Sequence, residues 1–519
     1  MRRWLTYFGI VSICMLSVIS SLAASFSVAN VTELDAALTV AETNSQDDVI
    51  YIQGGTYLAS DLGAGPISYL AGTNPVENFS IFLIGTNGTV YIDGNSQQTM
   101  SIDTRVTGQS QANAHVFLEN LTFQNGFINS MLLAGAGLYV QTQNGNITLT
   151  DIYVMSNSAS HVFDDPNCAG AYIRSQGVGD VNISRCRFQN NDADGNAGAL
   201  QLMIGVGGSA TVVNNVFYNN KCRARGGAVY ASVIGSLTMN HNTYLANTNE
   251  GGAAWCNGGG LYVYQPTDTG VATINNNIFW TNTTVNGQGG DVYLENDGNT
   301  NFTAAFNVFT GNNYTELGIA INDNLTTNIN ISADPMFMDQ TNGVVNLVSN
   351  SPCIDAGSEL GYTNDFVLQI RPLDGDDNGN PYPDMGAYEY LHPTADSDGD
   401  TMPDTWELSY GLNPSVTSGV DGALGDLDGD GFINVSEYIA DTVPTNAASY
   451  LAFTDIAASL SSIDLYWQGG SQVTQYIERT YISTNLLWEA VYTNLPPTVT
   501  NTVNLAPASN VFYRVRAIR

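Results

Sequence analysis

Acidic side chains at alternate positions between residues 426 and 437 could surround a hard cation with oxygen ligands. Aspartates occupy the first, third and fifth places of this stretch, and a glutamate occupies the twelfth. The candidate ligands are Asp426, Asp428, Asp430, the backbone carbonyl of Phe432, Asn434 and Glu437. Ca²⁺ binds about six to eight oxygens, and Gly431 supplies the sharp turn that such a loop needs. The spacing therefore predicts a Ca²⁺ site.

A second acidic stretch lies 30 residues earlier and has the same spacing. Its candidate ligands are Asp396, Asp398, Asp400, the carbonyl of Met402, Asp404 and Glu407. Thr401 stands where glycine is expected, which leaves the affinity of this loop open. Both stretches match the EF-hand loop pattern, and each is followed by a short predicted helix.

The pair of loops resembles dockerin-like and thrombospondin type-3-like calcium modules, which implies a possible protein partner for this part of the chain. Because many carboxylates so close together repel one another, we expect the module to fold with Ca²⁺. The alternative is an acidic linker that binds no metal.

Another set of side chains could act on a sugar polymer. The candidate catalytic residues are His161, Asp164, Asp165, Lys221, Arg223 and Arg225, and the candidate substrate-binding residues are Arg187, Asp192, Asp194, Glu250 and Trp255. The cations could neutralise a uronate carboxylate, while a deprotonated Arg, Lys or His161 removes the C5 proton. Alternatively, two of the four aspartates could be acid and base in glycoside hydrolysis. A third interpretation is that these are solvated loops whose opposite charges pair locally.

A repeated phrase must position these side chains. An apolar-x-x-Asn step occurs at 154–157, 188–191, 217–220, 244–247, 279–282 and 309–312. A glycine followed by a small or polar residue and an apolar residue comes after the first five steps, at positions 170, 198, 227, 259 and 290. These glycines are 28, 29, 32 and 31 residues apart. A fixed period of this size predicts a solenoid.

Short stretches in which apolar residues alternate with Thr, Asn or Ser precede the asparagine steps, at 146–150, 181–184, 210–213, 237–239 and 272–274. Each predicts a strand that pairs with its copy one turn later and buries one face. Each asparagine is expected at a bend, where its amide bonds the equivalent asparagine in the next turn. Loops at equivalent positions must then stack along one flank. Arg185 and Arg187 lie one turn before the basic loop, so we expect five of the 14 basic residues to gather there.

These phrases resemble the right-handed parallel β-helix proteins of the pectate-lyase-like superfamily, over roughly residues 28–390. The Gly-Gly-Ala and Phe-x-x-Asn phrases are also similar to those of polymorphic outer-membrane adhesins. The resemblance implies an all-β fold, with a right-handed parallel β-helix as its main part. It implies either a polysaccharide lyase or glycoside hydrolase, or a non-catalytic adhesin. The paired arginines of pectate lyases and the Asn-Thr-Asp, Gly-His-Gly and Arg-Ile-Lys phrases of polygalacturonases are missing, so the resemblance assigns no catalytic residue.

Both ends of a solenoid need caps. At the N-terminal end, Thr32 and Asp35 are spaced as a capping box for a helix whose apolar face is Leu34, Ala37, Leu38 and Ala41. At the far end, residues 351–357, 371–372 and 383–390 are similar to the closing segment of secreted proteins of the choice-of-anchor type. Within them we expect a structural polar network, formed by Asp355, Arg371, Asp384 and Glu389.

Four segments are predicted along the chain of 519 residues. Residues 1–23 read as a signal peptide, because Arg2 and Arg3 precede an apolar run and a small-residue cleavage site. The β-helix with its caps spans 24–390, and the calcium module spans 391–445. Residues 446–519 alternate like strands and are similar to the fibronectin-III-like β-sandwiches of secreted bacterial proteins. No later stretch is apolar and long enough to cross a bilayer.

Composition narrows the partners. The net charge is −34, and Lys221 is the only lysine, which argues against nucleic acid because phosphate binding needs clustered cations. Divalent cations and an extracellular polysaccharide or cell-surface glycan are the expected partners. Among the cysteines after the signal peptide, Cys222 and Cys256 are a candidate disulfide pair in neighbouring turns. The sequence thus predicts a secreted, calcium-binding, carbohydrate-directed β-helix protein, with enzyme, adhesin and dockerin-like scaffold component all open.

Overall fold

The computed structural model describes residues 23–72, 78–106, 108–130, 133–160, 168–266, 270–296, 302–310, 313–315, 330–481, 487–497, 501–507 and 510–519. The chain forms two compact units. The first extends to Arg371 and includes Pro383–Glu389, and the second comprises Pro372–Tyr382 and Tyr390–Arg519. The signal peptide, apart from residue 23, lies outside the described residues. Among the described helices, none has the length and apolar character needed to cross a membrane.

Among its described residues, the first unit contains one α-helix, α1 (Val31–Ala41), and two 3-10 helices, Ala59–Leu62 and Gln340–Asn342; its other elements are strands. In chain order the described strands are β1 (Ala24–Val28), β2 (Asp48–Leu58), β3 (Ile67–Leu70), β4 (Ile81–Asp93), β5 (Met100–Asp103), β6 (Val116–Glu119), β7 (Thr122–Gln124), β8 (Phe127–Ile128), β9 (Leu138–Thr142), β10 (Ile147–Thr150), β11 (Tyr153–Met155), β12 (Ser158–Ala159), β13 (Ala171–Ser175), β14 (Val181–Ser184), β15 (Arg187–Gln189), β16 (Asp192–Ala193), β17 (Leu200–Ile204), β18 (Ser209–Val213), β19 (Val216–Tyr218), β20 (Lys221–Cys222), β21 (Val229–Val233), β22 (Ser236–Asn240), β23 (Thr243–Leu245), β24 (Thr248–Asn249), β25 (Leu261–Gln265), β26 (Val271–Asn275), β27 (Ile278–Trp280), β28 (Thr283–Thr284), β29 (Val292–Asn296), β30 (Phe302–Ala305), β31 (Val308–Phe309), β32 (Asn313–Thr315), β33 (Phe337–Asp339) and β34 (Val344–Leu347).

Parallel pairing joins all but the last two of these strands into three sheets. Sheet 3 contains β3, β5, β9, β13, β17, β21, β25, β29 and β32, and sheet 2 contains β8, β12, β16, β20, β24 and β28. The other parallel strands form sheet 1. In each middle turn the chain passes through sheet 1, sheet 2 and sheet 3 and then re-enters sheet 1. This path confirms the predicted parallel solenoid.

The register of the strands agrees with the period of the sequence. Leu200 pairs with Val229 of the next turn, and the Gly198 amide donates to the Gly227 carbonyl at 3.1 Å. Inside the solenoid, aromatic rings stack in successive turns at centroid distances of 5.0, 4.7, 4.4 and 5.4 Å, in the order Phe188, Phe217, Tyr244, Phe279 and Phe309. Side chains about thirty residues apart therefore lie over one another, and their apolar faces form one continuous core.

The repeated asparagines form a buried ladder, as predicted. Its members are Asn157, Asn191, Asn220, Asn247 and Asn282. Each Nδ2 of the first four donates to Oδ1 of the next member at 2.9 to 3.0 Å. Asn282, the last described member, donates instead to Asp291 Oδ1 at 3.1 Å. Asn312 of the sixth predicted step lies outside the described residues. A second ladder, which the sequence analysis missed, joins Asn215, Asn242, Asn277 and Asn307 in the same way.

Helix α1 covers the first turn with the predicted apolar face, since Leu34, Ala37, Leu38 and Ala41 are all buried. The predicted capping box was wrong by two residues. The N-cap is Asn30, whose side chain accepts from the Glu33 amide at 3.0 Å. Glu33 in return accepts from the Ala29 amide at 2.8 Å. Asn30 has the extended backbone that an N-cap requires, and Thr32 is already helical.

Residues 330–371 and 383–389, the closing segment, pack along the side of successive turns. Asn214 and Asn276 donate from Nδ2 to the carbonyls of Asn364 and Ser358 at 2.7 and 2.8 Å. Apolar side chains of the segment share a cluster with Val216 and Leu245 of sheet 1. The segment therefore covers a lateral face, in contrast to the predicted end cap, because its apolar residues fit the outer side of sheet 1.

The predicted polar network in the closing segment is confirmed as structural. Arg371 Nε lies 2.6 Å from Glu389 Oε2, and both side chains are fully buried. Arg371 also donates to Asn214 Oδ1 at 3.1 Å, and Asp384 Oδ1 accepts from the Asp355 amide at 2.8 Å. A buried pair with this many partners fixes the segment on the solenoid.

The described cysteines are all free and buried, namely Cys168, Cys186, Cys222, Cys256 and Cys353. The predicted disulfide between Cys222 and Cys256 is therefore not formed. Cys256 Sγ donates instead to the Arg223 carbonyl at 3.3 Å.

The second unit contains two short helices, α2 (Asp404–Tyr410) and α3 (Asn434–Ala440), each directly after an acidic loop. Its strands are β35 (Ala452–Ala458), β36 (Ile463–Gln468), β37 (Thr474–Tyr481), β38 (Glu489–Asn494), β39 (Thr502–Leu505) and β40 (Val511–Ile518). They form two antiparallel sheets, β35-β36-β39 and β38-β37-β40. Leu465, Trp467 and Ile477 join the sheets in one core. The fibronectin-III-like identity of this part stays a prediction.

Candidate functional site

The aspartates of each predicted calcium loop converge. Carboxylate oxygens of Asp396, Asp398 and Asp400 lie within 4.8 Å of one another, and those of Asp426, Asp428 and Asp430 do the same. Carboxylates at such distances repel each other unless a cation or protons compensate their charge.

The two loops share one backbone conformation. Asp426 accepts from the amides of Gly429, Asp430 and Gly431 at 2.8, 3.2 and 2.9 Å. Asp396 accepts from the equivalent amides, those of residues 399, 400 and 401, at 2.8, 3.1 and 2.7 Å. A loop shape fixed by its first aspartate therefore presents the remaining oxygens in the same way at both places.

Thr401 takes the backbone conformation for which glycine was expected. Its φ is 83°, against 95° for Gly431. A side chain in this left-handed region costs about 1–2 kcal/mol. The departure from the motif therefore strains the first loop without changing its shape.

The glutamates at the twelfth positions complete the two clusters. Glu407 and Glu437 lie in the short helices and are buried. Within the described residues, neither carboxylate oxygen of Glu407 has a hydrogen-bond partner, and Glu437 Oε2 has none either. Burial, followed by the nearby aspartates Asp398 and Asp428 respectively, raises the pKa of Glu407 to about 9 and that of Glu437 to about 7. The charge of such buried, unpartnered oxygens is compensated by either a bound proton or a cation.

The ninth positions differ between the loops. Asp404 accepts from the Ser397 amide at 2.8 Å and from the Ser397 hydroxyl at 2.6 Å, so this carboxylate is already engaged. Asn434 donates to the carbonyls of Val420 and Gly422, and its Oδ1 has no partner among the described residues. The amides of Met402 and Phe432 donate to Asp400 and Asp430 at 3.1 and 2.8 Å, which orders the backbone at the seventh positions.

The fit to a cation follows from the donor set. Each loop offers three aspartates, one buried glutamate and a main-chain carbonyl, all of them oxygen donors. Oxygen-only sets suit hard divalent cations rather than zinc or copper, which favour nitrogen and sulfur. The residues present therefore fit a hard divalent ion.

The charged residues predicted on the solenoid meet one another in stacked turns. Asp192 pairs in register with Lys221, and Lys221 with Thr248. Arg223 lies 2.8, 2.9 and 3.3 Å from carboxylate oxygens of Asp192, Asp194 and Glu250, and Lys221 lies 3.0 Å from Glu250. We call Asp192, Asp194, Lys221, Arg223 and Glu250 the charged flank. Its opposite charges pair locally.

The ion pairs of the charged flank also affect whether its residues could act as a catalytic acid or base. Burial acts to lower the pKa of Arg223. The hydrogen bond to Asp192 and the charges of Asp192, Asp194 and Glu250 outweigh burial and raise this pKa above its usual range. A general base must be deprotonated near the working pH. Asp192 and Asp194 both contact the same guanidinium nitrogen, so both carboxylates are engaged by Arg223.

Arg185 and Arg187 do not join this flank, so the predicted gathering of five basic residues was wrong. Arg185 pairs with Asp151 at 2.8 Å. Arg187 lies on β15 of sheet 1 and donates to the Gly343 carbonyl of the closing segment at 2.8 Å. The strands of sheet 1 and the turns that follow sheet 2 lie on different sides of the solenoid, which sequence spacing alone does not show.

Arg225 and Trp255 form a separate aromatic site. The Arg225 Cζ atom lies 5.3 Å from the ring centre of Trp255 and 5.8 Å from that of Tyr262. Trp255 is 54% exposed. The predicted residues His161, Asp164 and Asp165 lie outside the described residues.

A row of tyrosines on the outer face of sheet 3 was not predicted. Its members occupy equivalent positions of successive strands, at Tyr139, Tyr172, Tyr230, Tyr262 and Tyr293, with Gln201 at the third place. Ring centres of neighbouring pairs lie 5.3, 5.4 and 5.2 Å apart. Tyr139 and Tyr230 are half-buried, and the others are buried. The sequence contains a signal for this row, because each tyrosine directly follows the apolar residue that opens its strand.

Comparison with protein families agrees with this architecture. Residues 80–268 match the family model described as a right handed beta helix region. With the three stacked parallel sheets, this match supports a right-handed β-helix for the first unit. No curated protein compared with the chain is similar to it in sequence.

Proposed function

We propose that the protein is an exported Ca²⁺-binding β-helix protein that binds an extracellular polysaccharide or cell-surface glycan without cleaving it. The observation that carries the proposal is the pair of acidic loops, each with a buried glutamate oxygen that has no partner among the described residues. Export follows from the predicted signal peptide. Outside the cell, Ca²⁺ is the abundant hard cation that such loops take up.

Binding of a glycan is supported by the surface beside the charged flank. Trp255 offers an exposed ring, and the stacked Arg225 beside it can bind a carboxylate or hydroxyl groups. The outer side of sheet 1, by contrast, is covered by the closing segment.

Binding without cleavage is supported by the ion pairs of the charged flank. Lyase chemistry needs a base, yet Lys221 and Arg223 are both engaged by carboxylates. Hydrolysis needs a protonated acid, yet Asp192 and Asp194 share one guanidinium. The described residues thus favour an adhesin-like role over a lyase or hydrolase.

A panel of uronate and neutral polysaccharides tests this proposal. Affinity electrophoresis of the full chain in Ca²⁺ measures binding, while absorbance of unsaturated products and an assay of reducing ends measure cleavage. We expect binding to at least one polymer, no products, and a loss of affinity of up to about tenfold for Trp255→Ala, because one stacking platform is removed.

Val178→Ala is the matched control, since Val178 is 60% exposed and lies in the turn between sheets 3 and 1. Unsaturated products or new reducing ends would overturn the non-catalytic part of the proposal. Absence of binding to every polymer would overturn the glycan part and favour a protein partner for the calcium module.

A further inference from the structure

Helices α2 and α3 have different residues at their C-caps. Helix α2 ends at Gly411, which has a φ of 79°. Thirty residues later, helix α3 ends at Asp441, which has a φ of 56°. Glycine adopts this left-handed conformation freely, whereas a residue with a side chain is strained there. We therefore expect the carboxylate of Asp441 to make contacts that offset the strain of its backbone.

The carboxylate of Asp441 binds the C-terminal β-sheets. Its Oδ2 accepts from the amides of Ser471 and Gln472 at 3.0 and 2.9 Å. Its Oδ1 lies 3.6 Å from Nη1 of Arg519. Two loop amides and the guanidinium of Arg519 thus contact the Asp441 carboxylate at the end of helix α3.

Further contacts join the same two parts. The guanidinium of Arg519 lies over the ring of Tyr438, with Cζ 4.3 Å from the ring centre. The Gly470 amide donates to the Ala440 carbonyl at 3.1 Å. Ala440 is buried against Val473 and Ala517 of the sheets.

We call the contacts of residues 438–442 with residues 470–473, Ala517 and Arg519 the joint. Close packing at the joint leaves no space for a side chain on Gly470. A Cβ atom there would lie 2.0 Å from the Asp441 carbonyl oxygen. The last turn of α3 is therefore fitted to the loop before β37, and a shift of the helix disturbs that loop.

The joint also touches the predicted metal ligand. The residue after Asp441 is Thr442, whose hydroxyl donates to Glu437 Oε1 at 3.3 Å. Its amide donates to the Glu437 carbonyl at 3.0 Å. Glu437 lies one helical turn before the joint, and its other oxygen is buried without a hydrogen-bond partner among the described residues. A cation that holds Glu437 thus orders the residues that bind the C-terminal sheets.

We infer that the cation of the second loop controls the attachment of the C-terminal β-sheets to helix α3, with Asp441 as the coupling residue. The inference rests on the proposed binding of Ca²⁺. With the ion bound, α3 and the loop 470–473 form one rigid joint. On removal of the ion, repulsion around Glu437 loosens the end of the helix, and Asp441 releases the amides of Ser471 and Gln472.

Hydrogen–deuterium exchange on the full chain tests the coupling, with calorimetric titration of Ca²⁺ in parallel. In the wild type, we expect Ca²⁺ to slow exchange of the Ser471 and Gln472 amides at least tenfold. In Asp441→Gly, which introduces the C-cap residue of helix α2 and relieves the strain, we expect Ca²⁺ binding to be retained and this slowing to be lost. Glu489→Gln is the control, because it removes an exposed ion pair with Arg479 elsewhere in the sheets.

The outcomes separate the coupling from the proposed function. If the wild type binds Ca²⁺ but exchange at residues 471 and 472 does not change, the coupling is refuted and the calcium site stands. The coupling is also refuted if Asp441→Gly keeps the full response, or if Glu489→Gln loses it. A chain that binds no Ca²⁺ overturns both.

Discussion

Replacement of Asn220 by alanine measures the energetic role of the asparagine ladder. The Asn220 side chain accepts from the amide and from Nδ2 of Asn191 at 3.1 and 2.9 Å. It donates to the carbonyl of Phe188 and to Oδ1 of Asn247, both at 3.0 Å. The substitution removes all four bonds and leaves the buried Asn191 amide without that acceptor. Asn191 Nδ2 keeps its bond to the Val154 carbonyl at 3.0 Å.

The expected loss follows from these partners. A buried donor left without an acceptor costs about 1–3 kcal/mol, and a satisfied neutral hydrogen bond contributes about 1 kcal/mol net. Because one of the two Asn191 donors keeps a partner, the contributions do not add in full. We expect Asn220→Ala to lower the free energy of unfolding of the β-helix by about 2–4 kcal/mol.

Urea unfolding followed by circular dichroism measures this loss, with Asn182→Ala as the matched control. Asn182 is an exposed residue of β14 in sheet 1 of the same solenoid, so the same chemical change there is expected to cost less than about 0.5 kcal/mol. If the two variants differ by less than about 0.5 kcal/mol, the ladder does not stabilise the solenoid as its geometry implies.

Two further variants test buried charge. Burial raises the pKa of Asp291 to about 7, so the folded chain keeps a proton that the unfolded chain releases near pH ~4. The contribution of Asp291 to the free energy of unfolding is thus expected to be full below about pH 4 and to be lost as the pH rises through about 7. Asp291→Asn is expected to reduce the loss of stability between acid and neutral pH, and an equal pH dependence of urea unfolding in wild type and variant would contradict it. Arg371→Met removes the cation from a buried ion pair with Glu389 and is expected to cost about 3–5 kcal/mol. Arg223→Met breaks more exposed pairs and is expected to cost less than about 1 kcal/mol, so similar losses of urea stability in the two variants would contradict this assignment.

Most of the fold could be predicted because the same local sequence pattern recurs in successive turns of the solenoid. Each turn of the solenoid carries its own strand, asparagine and glycine, so the register of Gly198 on Gly227 followed from spacing alone. The convergence of the aspartates in each acidic loop could also be predicted, because the three aspartates lie within five positions of one another. The loop motif predicts glycine at position 401, but Thr401 adopts the same left-handed backbone conformation, so the loop forms without glycine there.

Features that depend on packing were missed or misplaced. Both Asn30 with Glu33 and Thr32 with Asp35 fit the spacing of a capping box, and only the backbone shows that Asn30 is extended. The closing segment has no period, so its sequence does not show which face it covers. Asp291 replaces the small residue of earlier turns, and its role as the acceptor for Asn282 requires the position of that side chain.

Calorimetric titration of the full chain with Ca²⁺, after removal of metals with a chelator, tests the central claim most directly. We predict two bound ions per chain, with one lost in Glu407→Gln, one lost in Glu437→Gln, and none lost in Asp421→Asn between the loops. Absence of Ca²⁺ binding, or binding that neither glutamine variant reduces, would contradict the assignment of these loops as the functional site.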